Sequence, residues 1–369
     1  MIFSLLKIGI RIVTLAFTLG LLLSYASAWI SPKSLWFFQL LGLAYPILFV
    51  GTLIFALLNF MLTKKYAFSL IVLLLGSFTH ARYFGVSFPK NNEALISASN
   101  NELSIMSFNV RLFDAYQLIV PKIEDSKAEF TAFFEENPTD ILCLQEYAEN
   151  KSNNKLISPS EIKKIGGYTH HVTTLTLEAR RMTMGQAIFS KYPIINSGLI
   201  GDSSRSIPSI YADIVKGEDT VRIYNFHLES IRFQKDEYSL FDTSISSDKD
   251  YSQRITGLLS KLKEAYPPRV QQTRQIISHA AETSYPTLLC GDLNDPPTSY
   301  TYSTIAKQFN DAFYAADFGM TRTYAGKVPA GRIDYIFHDD KWIPTTFNTH
   351  HEKTLSDHYA ISSTLKIIK

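Results

Sequence analysis

The segment LLCGDLNDPP, residues 288–297, sets an apolar run directly against two carboxylates, an asparagine and two prolines. Leu288, Leu289 and Cys290 read as the end of a buried strand, and Gly291 as the residue that lets the backbone turn where that strand stops. The chain thereby delivers Asp292, Asn294 and Asp295 to the mouth of its own core. Gly-Asp and Asn-Asp are ordinary turn chemistry, so this segment gains meaning only if others resemble it.

Others do. ELSIMSFNVRLFD (102–114) alternates toward Asn109, a polar tip on a strand, and PKIEDSKAEFTAFFEENP, between Pro121 and Pro138, reads as the helix that follows. DILCLQE (140–146) is apolar through Leu144 and ends on Glu146. GQAIFS (185–190) and SIYADIV (209–215) read as strands, and VRIYNFHLES (221–230) carries Asn225 and His227 on one strand parity. A long helical segment, about 252–282, leads back to Asp292. RIDYIF (332–337) buries Asp334 in an apolar run, with Arg332 as its nearest candidate partner, and LSDHYAIS (355–362) opens the last strand with Asp357 and His358. Taken singly, each polar residue is explained by a turn, a cap or a satisfied core group. Six in order, each at a strand end or within an apolar run, are not.

These motifs, SFNVR, LQE, GQAIFSKYPI, NFHLES, GDLND, RIDYIF and SDHYAI, resemble the ordered set of the endonuclease/exonuclease/phosphatase superfamily, the group of deoxyribonuclease I, abasic-site endonucleases, neutral sphingomyelinases and inositol polyphosphate 5-phosphatases. The resemblance covers residues 101–369. It implies an α/β fold, a four-layer sandwich of two packed mixed β-sheets flanked by helices, and hydrolysis of a phosphate ester. Glu146 is then the principal metal ligand, with Asn109 and Asp357 completing the metal set. Asp292 aligns or activates the water, Asn294 contacts the phosphate beside it, Asp334 is the partner of His358, and His227 is the second histidine at the phosphate. Asn225 and Arg332 complete the expected site as substrate-binding residues.

The residue types suit that chemistry independently of the resemblance. Phosphate-ester hydrolysis calls for a cation on the non-bridging oxygens, a group that orients and deprotonates water, and donors for the charge that develops. Hard carboxylate oxygens suit Mg2+, with Mn2+ as the alternative. A histidine beside a buried aspartate has its protonated form stabilised. No nucleophilic Ser-His-Asp or cysteine order, zinc-ligand spacing or Gly-rich phosphate loop is present. Cys143 and Cys290, the only cysteines, lie in apolar strand context and are expected as free core thiols on strands in different parts of the sheet system.

Composition divides the chain. Residues 1–90 hold seven Lys or Arg and no Asp or Glu, whereas the rest carries 29 basic and 34 acidic side chains, a net of −5. The head, 1–88, is expected to form about three transmembrane helices, 12–30, 34–63 (with Pro46 inside) and 66–86, followed by a polar linker, 89–101, and the catalytic domain, 102–369. A cleaved signal peptide ending at Ala26–Ala28 is the alternative for the first run. Three crossings place Lys7, Arg11, Lys64 and Lys65 on one side and Lys33, Arg82 and Lys90 on the other, which favours an integral protein of the plasma or inner membrane whose body lies outside the cytoplasm.

The function expected is a membrane-anchored phosphodiesterase or phosphatase, its partners the lipid bilayer and a phosphate ester such as a lipid headgroup. The alternatives are a nuclease, disfavoured by the acidic body although Arg180-Arg181 offers a basic patch, and an inactive scaffold, disfavoured by the completeness of the motifs. Selectivity is assigned to the loops 176–184 and 230–253.

Overall fold

Among the described residues twelve strands form two six-stranded sheets: β1 (Glu102–Asn109), β2 (Ile141–Asn150), β3 (His170–Ala179), β4 (Met182–Ser190), β5 (Ile194–Ile200), β6 (Ser209–Lys216), β7 (Asp219–His227), β8 (Thr287–Asp292), β9 (Asn310–Asp311), β10 (Asp334–His338), β11 (Trp342–Thr349) and β12 (Ile361–Ile367). The computed structural model describes residues 2–85, 101–115, 123–150, 156–179, 182–201, 207–231, 248–316, 319–326 and 331–368. The 89–101 linker apart from Asn101, the Arg180-Arg181 pair and residues 232–247 of the long loop lie outside them.

One sheet runs β11-β12-β1-β2-β4-β3 and the other β5-β6-β7-β8-β10-β9. The pairs β1–β2 and β7–β8 are parallel and the remaining neighbours antiparallel. A parallel pair needs a crossover. The helix Ile123–Glu136 lies in the first and the helix Asp248–Ala280 in the second.

The inner faces meet in a core that includes Ile105, Ile141, Cys143, Ile223, Leu288, Cys290 and Ile336. Phe130 and Phe133 cover one outer face beside Phe108 and Leu144, and Ile276 and Tyr302 cover the other beside Phe226 and Leu289. The result is the expected four-layer sandwich of mixed sheets. β8 is buried at all six positions because it is covered on both faces, which is why LLC reads as a continuous apolar run.

Two local expectations change. Gly291 does not turn the chain; it lies within β8, paired to Phe226 and Tyr335, at φ +149°, and a Cβ there would collide with the Phe226 carbonyl oxygen. The turn follows, with Asn294 at φ +53°. Glu146 is not at a strand end, because β2 continues to Asn150 past a register shift between Leu144 and Tyr147, and Glu146 takes φ +47° within that bulge. Cys143 of β2 and Cys290 of β8 are free core thiols on different sheets, as expected; they are neighbours between the sheets, and burial with the neighbouring Cys143 thiol pushes the Cys290 thiol up.

The N-terminal region is helical, and two of its helices, Ile2–Tyr25 and Tyr45–Thr63, belong to segments long and apolar enough to cross a membrane. The expected 34–63 span is broken into Pro32–Leu35, Phe37–Leu43 and Tyr45–Thr63. Pro46 sits in the first turn of the last piece, where its missing N–H costs nothing, and not inside a longer helix. The expected third span is two helices, Ala67–Leu75 and Ser77–Tyr83, with Gly76 between them. Tyr25 fills the break, its hydroxyl donating to the Val72 carbonyl at 3.2 Å.

Candidate active site

Strand register assembles the site. Asp292, the last residue of β8, is paired to His227 of β7 on one side and Asp334 of β10 on the other. β1 and β2 of the opposing sheet bring Asn109 and Glu146 to the same rim, and the approach to β12 brings Asp357 and His358. Glu146, His227, Asp292, Asn294, Asp357 and His358 line one cavity of about 680 Å³, with Asn109 bonded to Asp292 and Asp334 to His358.

Asp292 Oδ2 is the hub. It accepts from Asn109 Nδ2 at 3.2 Å and faces His227 Nε2 at 3.6 Å and His358 Nε2 at 3.7 Å. Those two gaps are too long for hydrogen bonds. Asp292 Oδ1 accepts the Asn294 N–H at 2.7 Å, and one amide hydrogen of Asn294 goes to the Leu228 carbonyl at 3.0 Å. His358 Nδ1 lies 3.0 and 3.1 Å from the two Asp334 oxygens, which orients Nε2 toward Asp292.

Electrostatics separate the groups. Burial raises the Asp292 carboxyl to about 6, the two histidines opposing it. For His358, burial alone would lower the proton affinity, but Asp334 and Asp292 outweigh it and raise the imidazolium to about 10. His227 is lowered, by burial first, with the positive charge of His358 acting in the same direction. One histidine is thus charged and the other neutral near pH 7.

Glu146 is raised by burial and then by the nearby Asp357 carboxylate. Two oxygen-ligand carboxylates that repel one another beside an open cavity fit a hard divalent cation, which would relieve the repulsion. Asn109 Nδ2 also points at Glu146 Oε1 at 3.4 Å, while its Oδ1 accepts the Arg111 N–H at 3.1 Å. In this arrangement it braces the carboxylates, and its Oδ1 keeps one lone pair beyond the Arg111 N–H. Asp292, Asp334 and His358 also bring one ligand atom each within 4.8 Å of one another. His358 Nδ1 is already committed to Asp334, so this group reads as a carboxylate–imidazole–carboxylate chain, and Glu146 with Asp357 suits Mg2+ better.

Two expected substrate contacts are corrected. Asn225 is fully buried one side-chain step below His227 on the same face, roughly 7 Å deeper. It accepts from Gln145 Nε2 at 2.7 Å and donates to the Leu144 and Ala187 carbonyls at 2.8 and 2.9 Å, tying the sheets together. Arg332 donates to Asp311 Oδ2 at 2.6 Å and lies over the Phe313 and Tyr335 rings, so it serves neither substrate nor Asp334.

Other cavity residues were not singled out from the sequence. Arg111 Nε lies 3.4 Å from Asp357 Oδ2, aimed there by a turn in which Arg111, Leu112, Phe113 and Asp114 all have positive φ. Such a backbone costs about 1–2 kcal/mol per residue; Phe113, packed on Phe130 and Tyr147 and bonded through its carbonyl to Ser126 Oγ, holds it. Tyr324 stands edge-on to the His358 ring. Arg269 of the second crossover helix braces the catalytic loop through Asp295 Oδ1 (2.7 Å) and the Glu229 carbonyl (2.6 Å). A buried arginine directly after Pro267-Pro268 was the one available signal.

Residues 106–358 match the model of the Endonuclease/Exonuclease/phosphatase family. The chain belongs to this family. Its members are in general divalent-metal-dependent hydrolases of phosphodiester bonds. Residues 7–83 match a second family, described as a domain of unknown function (DUF8431). Among curated proteins none matches. Similar solved structures include family proteins from Beutenbergia cavernae DSM 12333 (18% identity, TM-score 0.52, 73% of this chain and 72% of that one) and Bacteroides vulgatus (16%, 0.52, 73% and 100%). A third is from Bacteroides thetaiotaomicron (15%, 0.51, 73% and 98%). At these identities the likeness is one of fold.

Proposed function

We propose that the chain is a membrane-anchored, Mg2+-dependent phosphoesterase that hydrolyses a phosphate ester by in-line attack of water. The observation that carries the reading is Asp292 Oδ2, faced by a neutral His227, a charged His358 and the Asn109 amide in one cavity. Asp292 aligns the water and takes its proton as oxygen bonds to phosphorus; the ester P–O bond breaks, and the leaving oxygen departs as the alkoxide and takes its proton from water. His358, held by Asp334, donates from Nε2 to a phosphate oxygen, and His227 and the second amide hydrogen of Asn294 bind the others. Glu146 and Asp357 would hold the cation, which supplies positive charge to the phosphate oxygens. Mn2+ fits the same oxygen set.

The arrangement of the helices supports the anchor. Thr14 bonds to Phe55 and Thr18 to Ser69, so the helices run up, down and up again. The body docks at the opposite end, through Ser27 and Gly42 to Thr298 and Gly85 to Gly319. Lys7, Lys64 and Lys65 thus lie at the end away from the body, as expected for a body outside the cytoplasm. A reporter active only in the cytoplasm should be silent when fused after Lys369 and active after Lys65; the reverse pattern would invert the topology.

The enzymatic reading is tested with the full chain in detergent, on bis-p-nitrophenyl phosphate and the corresponding mono-ester, with Mg2+ or with EDTA. Mg2+-dependent release of nitrophenolate from one of them is expected. No release from either, or release insensitive to EDTA, would refute it.

A further inference from the structure

The cavity around Asp292 is not built by the catalytic body alone. Its walls combine the polar groups of the site with Leu40, Leu43 and Ile47 of the N-terminal helices and Leu258, Leu262 and Tyr266 of the helix Asp248–Ala280. Its volume lies within the roughly 300–1,000 Å³ usual for ligand sites. The N-terminal wall is fixed in place. Ser27 Oγ donates to the Thr298 carbonyl at 2.6 Å, Thr298 Oγ1 to the Gly42 carbonyl at 2.8 Å, and the Tyr300 N–H to Gln39 Oε1 at 3.2 Å. A Cβ on Gly42 would collide with Ser27, so the approach is as close as the backbone allows. Thr298 is six residues beyond Asp292, so the loop that follows the catalytic carboxylate also seats the apolar helices.

A small polar ester would leave that hydrocarbon wall in water. The wall also belongs to the segment that leads into the Tyr45–Thr63 helix, one of the two long enough to cross a bilayer. We infer that the substrate is a lipid phosphoester drawn from the bilayer, its phosphate at Asp292 and its hydrocarbon chain between residues 40–47 and the 258–266 face of the crossover helix. The inference rests on the phosphoesterase reading and adds the class of molecule hydrolysed.

The test uses the full chain in detergent with Mg2+, n-alkyl phosphates of increasing length below their aggregation concentrations, and inhibition of bis-p-nitrophenyl phosphate hydrolysis as the readout. Alkyl phosphates can present the phosphate whichever ester carries the chain. Each buried methylene should lower Ki roughly fourfold until the cavity is full, and the melting temperature should rise in the same order. Leu262→Trp should shorten the chain length at which Ki levels off, Leu262→Ala should lengthen it, and Ile54→Ala, on an exposed helix face, should leave the series unchanged. Ki independent of chain length, or a dependence unmoved by both Leu262 variants, would overturn the hydrocarbon site while the phosphoesterase stands. Absence of hydrolysis of both the bis-ester and the mono-ester would overturn the reading beneath it, and if only the mono-ester is hydrolysed the same series is read on that substrate.

Discussion

Replacing Asp334 by asparagine keeps the side chain's shape and removes the charge that faces His358 Nδ1 at 3.0 Å. In the intact protein His358 titrates at about 10, against an ordinary value of 6.5. That difference corresponds to a few kcal/mol, at about 1.4 kcal/mol per unit, favouring the imidazolium. Burial is the largest single influence and acts the other way, and Asp334 is the first of the carboxylates that overcome it. Without it, Asp292 and Asp357 face the burial alone, and His358 should titrate near or below 7, a fall of about three units.

Titration of 13C-labelled histidine in the metal-free protein reads this directly among nine signals, with His358 the one most displaced and His227 responding to the same change. The stability consequence has a definite sign. A histidine raised in the fold contributes stability that is fully present below about 6.5 and is lost as pH climbs toward about 10. The gap between wild type and Asp334→Asn, on the order of 3 kcal/mol for a broken buried pair, should therefore be widest below about 6.5 and narrow toward 10. A His358 signal within about one unit of wild type, or a gap constant with pH, would refute the reasoning.

Glu146→Gln should abolish Mg2+ binding by calorimetry, yet melt in EDTA no lower than wild type, because a carboxylate disfavoured by burial and Asp357 is neutralised; a lower melting temperature would contradict this. Gly291→Ala must place a methyl against the Phe226 carbonyl at φ +149° and should cost on the order of 3 kcal/mol in thermal unfolding; a loss under about 1 kcal/mol would contradict the close approach. Asn225→Ala removes three inter-sheet hydrogen bonds, each worth roughly 1–3 kcal/mol when its partner is stranded. It should lower stability and leave KM unchanged, and a raised KM at unchanged stability would return Asn225 to the substrate.

The strand ends were legible because an apolar run that stops on a carboxylate has few meanings, and Asp292, Asp334 and His358 meet as their motifs implied. What was hidden depends on depth and on partners remote in sequence. Asn225 and His227 share a face, but the packing of the opposing sheet decides which clears the core, and Gln145 covers the former. Arg332 looked like a neighbour of Asp334, yet its partner is Asp311, twenty-one residues away in the chain. The bulge at Glu146 and the left-handed turn at Arg111 carry no glycine to announce them. The broken helices at Ala44 and Gly76 interrupt hydropathy that is continuous along the sequence, because Pro46 and Tyr25 act on backbone geometry and not on polarity.

Water attack on phosphorus assisted by Asp292 is the centre of the account, and a single experiment addresses it. Full chain and Mg2+ are incubated with bis-p-nitrophenyl phosphate in 18O-labelled water, and the products of wild type and Asp292→Asn are compared by mass. The account expects one 18O in the phosphate-containing product, none in the nitrophenol, and a rate roughly 100- to 10,000-fold lower in the variant. Label in the nitrophenol, or an unchanged rate in Asp292→Asn, would contradict it.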